Sequence, residues 1–202
     1  MKPKSSETKL IGLTGPIGAG KSLVAGVWSE LGAGIVEGDE MGRQVLTNDD
    51  NLQKMLRERF GSYVFDDTGQ VDRKKLGEMA FDSPNGIEDL TRITFPSLYR
   101  LAQEQFRTLS EQHKTIVFDA ALIYEWGVEG DFDLIVVVTA PVPDLIKRAS
   151  SKLNIDPEQT TARLAGQLSP DEKAQRADII ITNDAGIDEL KRKAVEVWGE
   201  MN

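Results

Sequence analysis

Gly15-Pro16-Ile17-Gly18-Ala19-Gly20-Lys21-Ser22 satisfies the pattern G-x-x-x-x-G-K-S/T without a gap. The stretch follows an apolar run (Leu10, Ile11, Leu13) and precedes an amphipathic helical pattern, the setting such a loop requires. Glycines let the chain turn tightly and bring backbone N–H groups up to an anion. The following helix aims its N-terminal N–H groups and its dipole at the same place. Contacts to a nucleotide are therefore expected from Gly15, Ile17, Gly18, Ala19, Gly20, Lys21, Ser22 and Leu23. In this pattern the lysine, Lys21, reaches the β- and γ-phosphates, and the Ser22 hydroxyl is a Mg2+ ligand.

Outward from the loop, Leu10–Leu13 reads as a strand entering it. Leu23, Val24, Val27, Trp28 and Leu31 form one face of the helix leaving it, with Gly32 as its C-terminal stop. A short strand, Gly34-Ile35-Val36-Glu37, runs up to Gly38-Asp39. From Glu40 to about Gln112 the pattern is helical and polar with no strong strand signal, and Asp66-Asp67-Thr68-Gly69 reads as a turn. Thr115–Asp119, Leu134–Val138 and Asp178–Thr182 read as strands, the first two as continuous β-branched runs suited to a parallel sheet covered on both faces. Asp156-Pro157-Glu158-Gln159 and Ser169-Pro170-Asp171-Glu172 are helix starts with the cap residue, N1 proline and N3 acceptor in place. The fold class is thus α/β, a P-loop doubly wound parallel sheet with a helical insertion and a helical lid. The expected divisions are 1–38 core, 39–112 helical acceptor-binding insertion, 113–147 core, 148–176 lid and 177–202 core.

Composition narrows the function. The chain has 202 residues, 40% hydrophobic and 28% charged, as expected of one globular domain with an insertion. No apolar run approaches a membrane span, and the polar start Met1–Thr8 reads as a frayed tail rather than a signal or an anchor. There are no cysteines, which excludes disulfides and thiolate metal sites and accords with a cytoplasmic location. The single histidine, His113, falls in a polar stretch and reads as a solvated loop residue; a multi-histidine metal site is impossible. A net charge of −9 lacks the basic field of a nucleic-acid binder, so a small anionic substrate held by a few placed cations is expected.

In an open α/β sheet, ligands bind beyond the carboxyl ends of the strands, where the loop, Asp39 and Asp119 all fall. Phosphoryl transfer to a hydroxyl requires Mg2+, cations around the transferred group, and a carboxylate that orients or deprotonates the nucleophile. Asp39 is the candidate for that carboxylate, and Asp119 for a metal ligand acting through water alongside Ser22. Arg148, Lys152 and Arg163 are candidate lid cations over the triphosphate, where a closed lid would exclude water. Lys21 and Arg148 join Asp39 as the catalytic set. No N-K-x-D guanine motif is present, which argues against a GTPase switch.

With these residues in hand, the chain resembles the dephospho-CoA kinase family from Leu10 to about Trp198. Ile11–Ser22 is similar to the family's I-G-L-T-G-x-I-G-S/A-G-K-S, and Asp39 and Arg43 match the second aspartate and the arginine of D-A-D-x-x-x-R. Arg59-Phe60-Gly61, the run Gly69, Asp72, Arg73, Leu76, and the set Leu122, Glu125, Gly127 match in order. So do Arg148, Arg163, Gln167, Lys173, Ala177-Asp178 and Asn183. The resemblance implies a sheet of about five strands, ATP with Mg2+, and transfer to the 3′-hydroxyl of dephospho-CoA, the last step of coenzyme A synthesis. It implies that Asp39 is the general base and that Arg43, Phe60, Arg73, Leu122, Glu125 and Arg163 serve the acceptor. It puts Asn183 near the adenine, beside Arg148 and Lys152 as ATP ligands. A monomer or weak homo-oligomer is expected, with no nucleic-acid or membrane partner. Departures fall on the acceptor side: Glu37 replaces the first aspartate, Phe95-Pro96 the H-P pair, and Ala121 the proline of P-L-L-F-E; Lys152 replaces a lid arginine. A kinase of another nucleotide-like acceptor, or a non-catalytic nucleotide-binding module, is the alternative reading.

Overall fold

A computed structural model describes residues 8–201; the expected frayed tail before Thr8 lies outside the described residues. Continuous apolar runs make five parallel strands: β1 (Lys9–Thr14), β2 (Gly34–Glu37), β3 (Thr115–Asp119), β4 (Leu134–Thr139) and β5 (Ile179–Thr182). Their order is β2-β3-β1-β4-β5, with every pairing parallel. The chain goes outward from β1 to one edge and later returns to its other side. The loop that leaves β1 therefore opens at the point where the winding reverses, the place where such sheets bind ligands.

One unit holds the described residues up to Glu37 together with those from Phe106 onward; the other is Gly38–Gln105. In the first unit, helices α1 (Lys21–Glu30) and α9 (Ile187–Met201) cover one face of the sheet. Val24, Trp28, Leu190 and Ala194 are buried there against Ile11, Val117, Val136 and Ile181. Trp28 donates its indole N–H to Ala194 O at 2.8 Å and lies 6.1 Å from the Trp198 ring, so its polar atom is satisfied in the core. Phe106, at the end of a long helix, meets Phe118 of β3 edge-on, and Phe118 stacks on Phe132.

The second unit contains α2 (Gly38–Asn48), α3 (Asp50–Phe60), α4 (Arg73–Asp82) and most of α5 (Gly86–Leu109), which carries Pro96 inside it. The Asp66–Gly69 turn forms as expected and closes an isolated antiparallel bridge between Phe65 and Val71. Asp49 ties this unit locally. Its carboxylate caps α3 by accepting from Leu52 N at 3.0 Å, and it also accepts from Ser97 Oγ at 2.6 Å and Arg100 at 3.2 Å. The Ser97 hydroxyl foremost, then the Leu52 N–H and the Arg100 cation, hold the Asp49 carboxyl below its usual 3.8.

Later in the chain come α6 (Val142–Leu153), α7 (Pro157–Ala165) and α8 (Pro170–Gln175). Asp156 caps α7 through Gln159 N, and Ser169 with Glu172 forms a complete capping box on α8. Both starts are as the spacing indicates. His113 lies in a loop as expected, partly exposed, with Nδ1 2.9 Å from Gly32 O, a carbonyl left by the glycine stop after α1.

Replacing Asp49 with Ala should remove the α3 cap and lower stability by about 1–2 kcal/mol. Because the folded carboxyl titrates below its unfolded value, the loss should be full above pH ~4 and vanish as pH falls through the folded value. Thermal unfolding of both proteins across pH checks this; a constant difference at all pH values would refute it.

Candidate active site

The chain leaves β1 through a passage with no room for a side chain at two positions, Gly15 and Gly18. Gly15 has φ +146°, and a Cβ there would lie 2.0 Å from Val138 O of β4. Gly18 has φ +84°, and its Cβ would lie 2.5 Å from Leu145 O of α6. The loop is thus pressed on β4 and α6 at these two glycines, the close backbone approach that a phosphate-binding loop uses. Gly20, in left-handed conformation, precedes α1; no side chain caps this helix and no acidic residue occupies its first turn. The positive end of α1 is left open to an anion. Lys21 Nζ donates to Gly15 O at 3.0 Å, folded over the loop, and Ser22 is exposed on the first turn. Ile17 and Leu23 are half-buried and Ala19 is buried.

Asn183, just past β5, closes this arrangement. Its side-chain amide donates to Ala19 O at 2.8 Å, and its own carbonyl accepts from Arg148 Nη1 at 3.2 Å. The residue expected beside an adenine is therefore buried, with its side-chain N–H turned to the phosphate loop.

The strand register brings the acidic ends together. Asp119 pairs with Leu13 on one side and Glu37 on the other, so the last row of the sheet carries both carboxylates next to the start of the loop. Asp119 is half-buried. Among the described residues no group of three or more His, Cys, Asp or Glu side chains is arranged to hold a metal. Ser22 and Asp119 offer one hydroxyl and one carboxylate, which suits Mg2+, an ion that takes few protein ligands and completes its shell with phosphate and water oxygens.

Asp39 is the second residue after β2, in the first turn of α2, exposed and without a hydrogen bond or ion pair to any described residue. Its neighbour Glu40 pairs instead with Arg43 at 2.7 Å, and that guanidinium, with Gln44, holds the Glu40 carboxyl below its usual range. Arg43 is exposed in this pair, a contact an incoming anion can replace. Arg73 is exposed at the start of α4, whereas Phe60 is buried at the end of α3 beneath the Arg59 guanidinium.

Arg148 and Lys152 both ride on α6, whose Leu145 and Ala149 are buried, so a core helix carries them. Arg163 is exposed on α7. Buried Thr160 joins α7 to α6 through a 2.8 Å bond with Ser150. Leu122 is half-buried after β3, and Glu125 Oε1 accepts from Leu168 N at 2.9 Å and from Lys173 Nζ at 2.8 Å. The sequence reading assigned no role to Thr14, whose hydroxyl bonds Ala121 O, and placed Lys173 only in a lid motif. The charged side chain of a six-residue capped helix carries no mark of burial; only the match of Lys173 to a family position pointed at it.

The dephospho-CoA kinase family model matches residues 9–189. The dephospho-CoA kinase of Syntrophotalea carbinolica is 31% identical over 193 residues, covering 95% of this chain and 92% of the relative. That of Dehalococcoides mccartyi is 32% identical over 188 residues, covering 91% and 92%. Among solved structures, TT1252 from Thermus thermophilus superposes with a TM-score of 0.80 at 26% identity, covering 98% of this chain and all of that one. A phosphate loop at the winding reversal, an uncapped α1 and a match over nearly the whole chain lead to one assignment: the chain belongs to the dephospho-CoA kinase family, enzymes that phosphorylate dephospho-CoA with ATP in coenzyme A biosynthesis.

Proposed function

We propose that in this chain the γ-phosphate of ATP passes to the 3′-hydroxyl of dephospho-CoA, with Asp39, Lys21 and Arg148 as the catalytic residues. The observation that carries the reading is the open N-terminus of α1 behind a loop with no room for a Cβ at Gly15 or Gly18. Backbone groups from Gly15 to Leu23 hold the triphosphate, and Asn183 keeps the loop in shape through Ala19 O. Lys21 leaves Gly15 O for the phosphate oxygens, exchanging a neutral acceptor for a charged one. Arg148 and Lys152 supply further positive charge from α6. Ser22 and Asp119 would hold Mg2+, which would supply charge neutralisation to the triphosphate.

Asp39 orients the attacking hydroxyl and takes its proton. That no described residue pairs with it supports that role, since a carboxylate serving only the fold would be expected in a cap or an ion pair. A dissociative transition state asks little of a base, so an ordinary carboxylate suffices. A passive nucleotide-binding module needs neither this carboxylate nor cations on two later helices. Arg43 and Arg73 are proposed for the anionic groups of the acceptor, with Phe60 and Leu122 beside them; Arg163 is proposed as a lid cation between acceptor and triphosphate, whereas Glu125 is engaged by Leu168 N and Lys173. We place the reaction in the cytoplasm, in keeping with a chain without cysteine; no helix among the described residues is long and apolar enough to cross a membrane.

Replacing Asp39 with Asn should lower kcat by about 100-fold or more while the Kd of an ATP analogue stays within about twofold. Steady-state kinetics with equilibrium binding checks both, and an unchanged kcat removes Asp39 from the mechanism. Replacing Lys21 with Met should lower kcat/KM for ATP by about 100-fold or more, by loss of a preorganised donor. Wild-type kinetics in that variant would contradict the loop assignment.

A further inference from the structure

Lys173 is a fully buried cation in a helix of the lid segment. Its ammonium lies 2.8 Å from Glu125 Oε1 and donates to Ala121 O at 2.5 Å. Ala121 O also accepts from Thr14 Oγ1 at 3.2 Å, and Thr14 is the residue before Gly15. Glu125 Oε1 accepts in addition from Leu168 N, in the link between α7 and α8. One buried ion pair therefore joins three pieces of chain: the end of β1 that becomes the phosphate loop, the segment after β3, and the α7–α8 link. Arg176 strengthens the last junction, pairing with Glu129 and stacking 4.3 Å over the Tyr124 ring.

Burial alone lowers the readiness of Lys173 to carry its charge, and Glu125 works against that. A buried ion pair is seldom more stabilising than an apolar pair of the same volume, whereas losing one partner strands a charge in the interior. Stability is thus a weak reason for Lys173 and Glu125 to be where they are. Geometry offers a better one. α7, which carries Arg163, is fixed at its start by Thr160 on Ser150 and after its end by Leu168 on Glu125.

We propose that Glu125 and Lys173 are positioning residues that fix the α7–α8 link, and with it Arg163, to the strand that ends in the phosphate loop. The inference rests on the kinase reading. The pair acts through other groups: it sets where lid cations meet the γ-phosphate and how well water is kept out.

The test compares wild type, Lys173→Met and Lys173→Met/Glu125→Leu by thermal unfolding, acceptor-dependent transfer, acceptor-independent ATP hydrolysis, and Kd for ADP and a non-hydrolysable ATP analogue. Lys173→Met strands Glu125 and should lower Tm; the double variant should recover most of that loss. The double variant should nonetheless transfer with kcat/KM about tenfold lower, from misplaced lid groups. Its ratio of hydrolysis to transfer should rise about fivefold as water enters. Its preference for the ATP analogue over ADP should fall about fivefold, because charge-assisted contacts to the γ-phosphate are lost. A double variant with recovered Tm and wild-type kinetics and binding overturns the proposal and leaves the pair a structural element only. If the double variant does not fold, Glu125→Gln and Glu125→Ala are compared at a temperature where both are folded. Gln keeps an acceptor for Leu168 N and Lys173, so the hydrolysis ratio and the nucleotide preference should change only in the Ala variant; equal values in both overturn the proposal. A wild-type chain that transfers nothing to dephospho-CoA fails the kinase reading instead, and the positioning role then stands or falls on the nucleotide preference alone.

Discussion

The passage between Val138 O and Leu145 O is the constraint on which the rest depends. At Gly15 and Gly18 the backbone has room for glycine alone, and both take positive φ angles that L side chains rarely adopt. Each wall of the passage is itself fixed by the core: Val138 is a buried residue of β4, and Leu145 a buried residue of α6. Asn183 grips the loop from the end of β5. Three elements distant in sequence thus hold the loop open before any ligand arrives. This is the preorganisation that lets fixed dipoles act on developing charge without being reordered during the reaction.

Charge is distributed on the same logic. The chain is acidic, at −9, yet Lys21 opens α1, and Arg148 and Lys152 ride on α6, the helix that walls the loop at Gly18. Long-range attraction of a polyanionic substrate is weak under such a balance, and salt screens it further, so recognition depends on short contacts. In the free protein these contacts are made internally. Lys21 rests on Gly15 O, Arg148 on Asn183 O, and Arg43 on Glu40. Each is an exchangeable bond to a weaker or solvated acceptor. Asp39 is not engaged in this way with any described residue, which separates it from these three cations.

Much of the sheet was legible because parallel strands covered on both faces must be apolar throughout. Ile116-Val117-Phe118 and Ile135-Val136-Val137-Val138 could be little else. The caps at Asp156 and Ser169 were legible because cap chemistry is local. The boundary of the helical unit was less so. α5 runs without a break through Gln105 and Phe106, where the two units divide, and no turn residue marks the division. The tight loop after β1 could be read from its spacing, and the place of Asp39 just after a strand from the apolar run that precedes it. The role of Asn183 could not, because its bond to Ala19 O spans 164 positions. Lys173 was hidden for a related reason: burial depends on the Ala121–Glu125 segment folding over it, and nothing in Pro170–Gln175 records that.

Identification of the product tests the central claim most directly. ATP and dephospho-CoA are incubated with the purified chain, ADP is quantified with and without the acceptor, and the phosphorylated product is located by mass and phosphorus–proton coupling. The account predicts one ADP per product molecule, a phosphoryl group on the 3′-oxygen of the ribose, and little ADP when the acceptor is withheld. ADP released at the same rate with and without dephospho-CoA, or a phosphoryl group at another position, would contradict it.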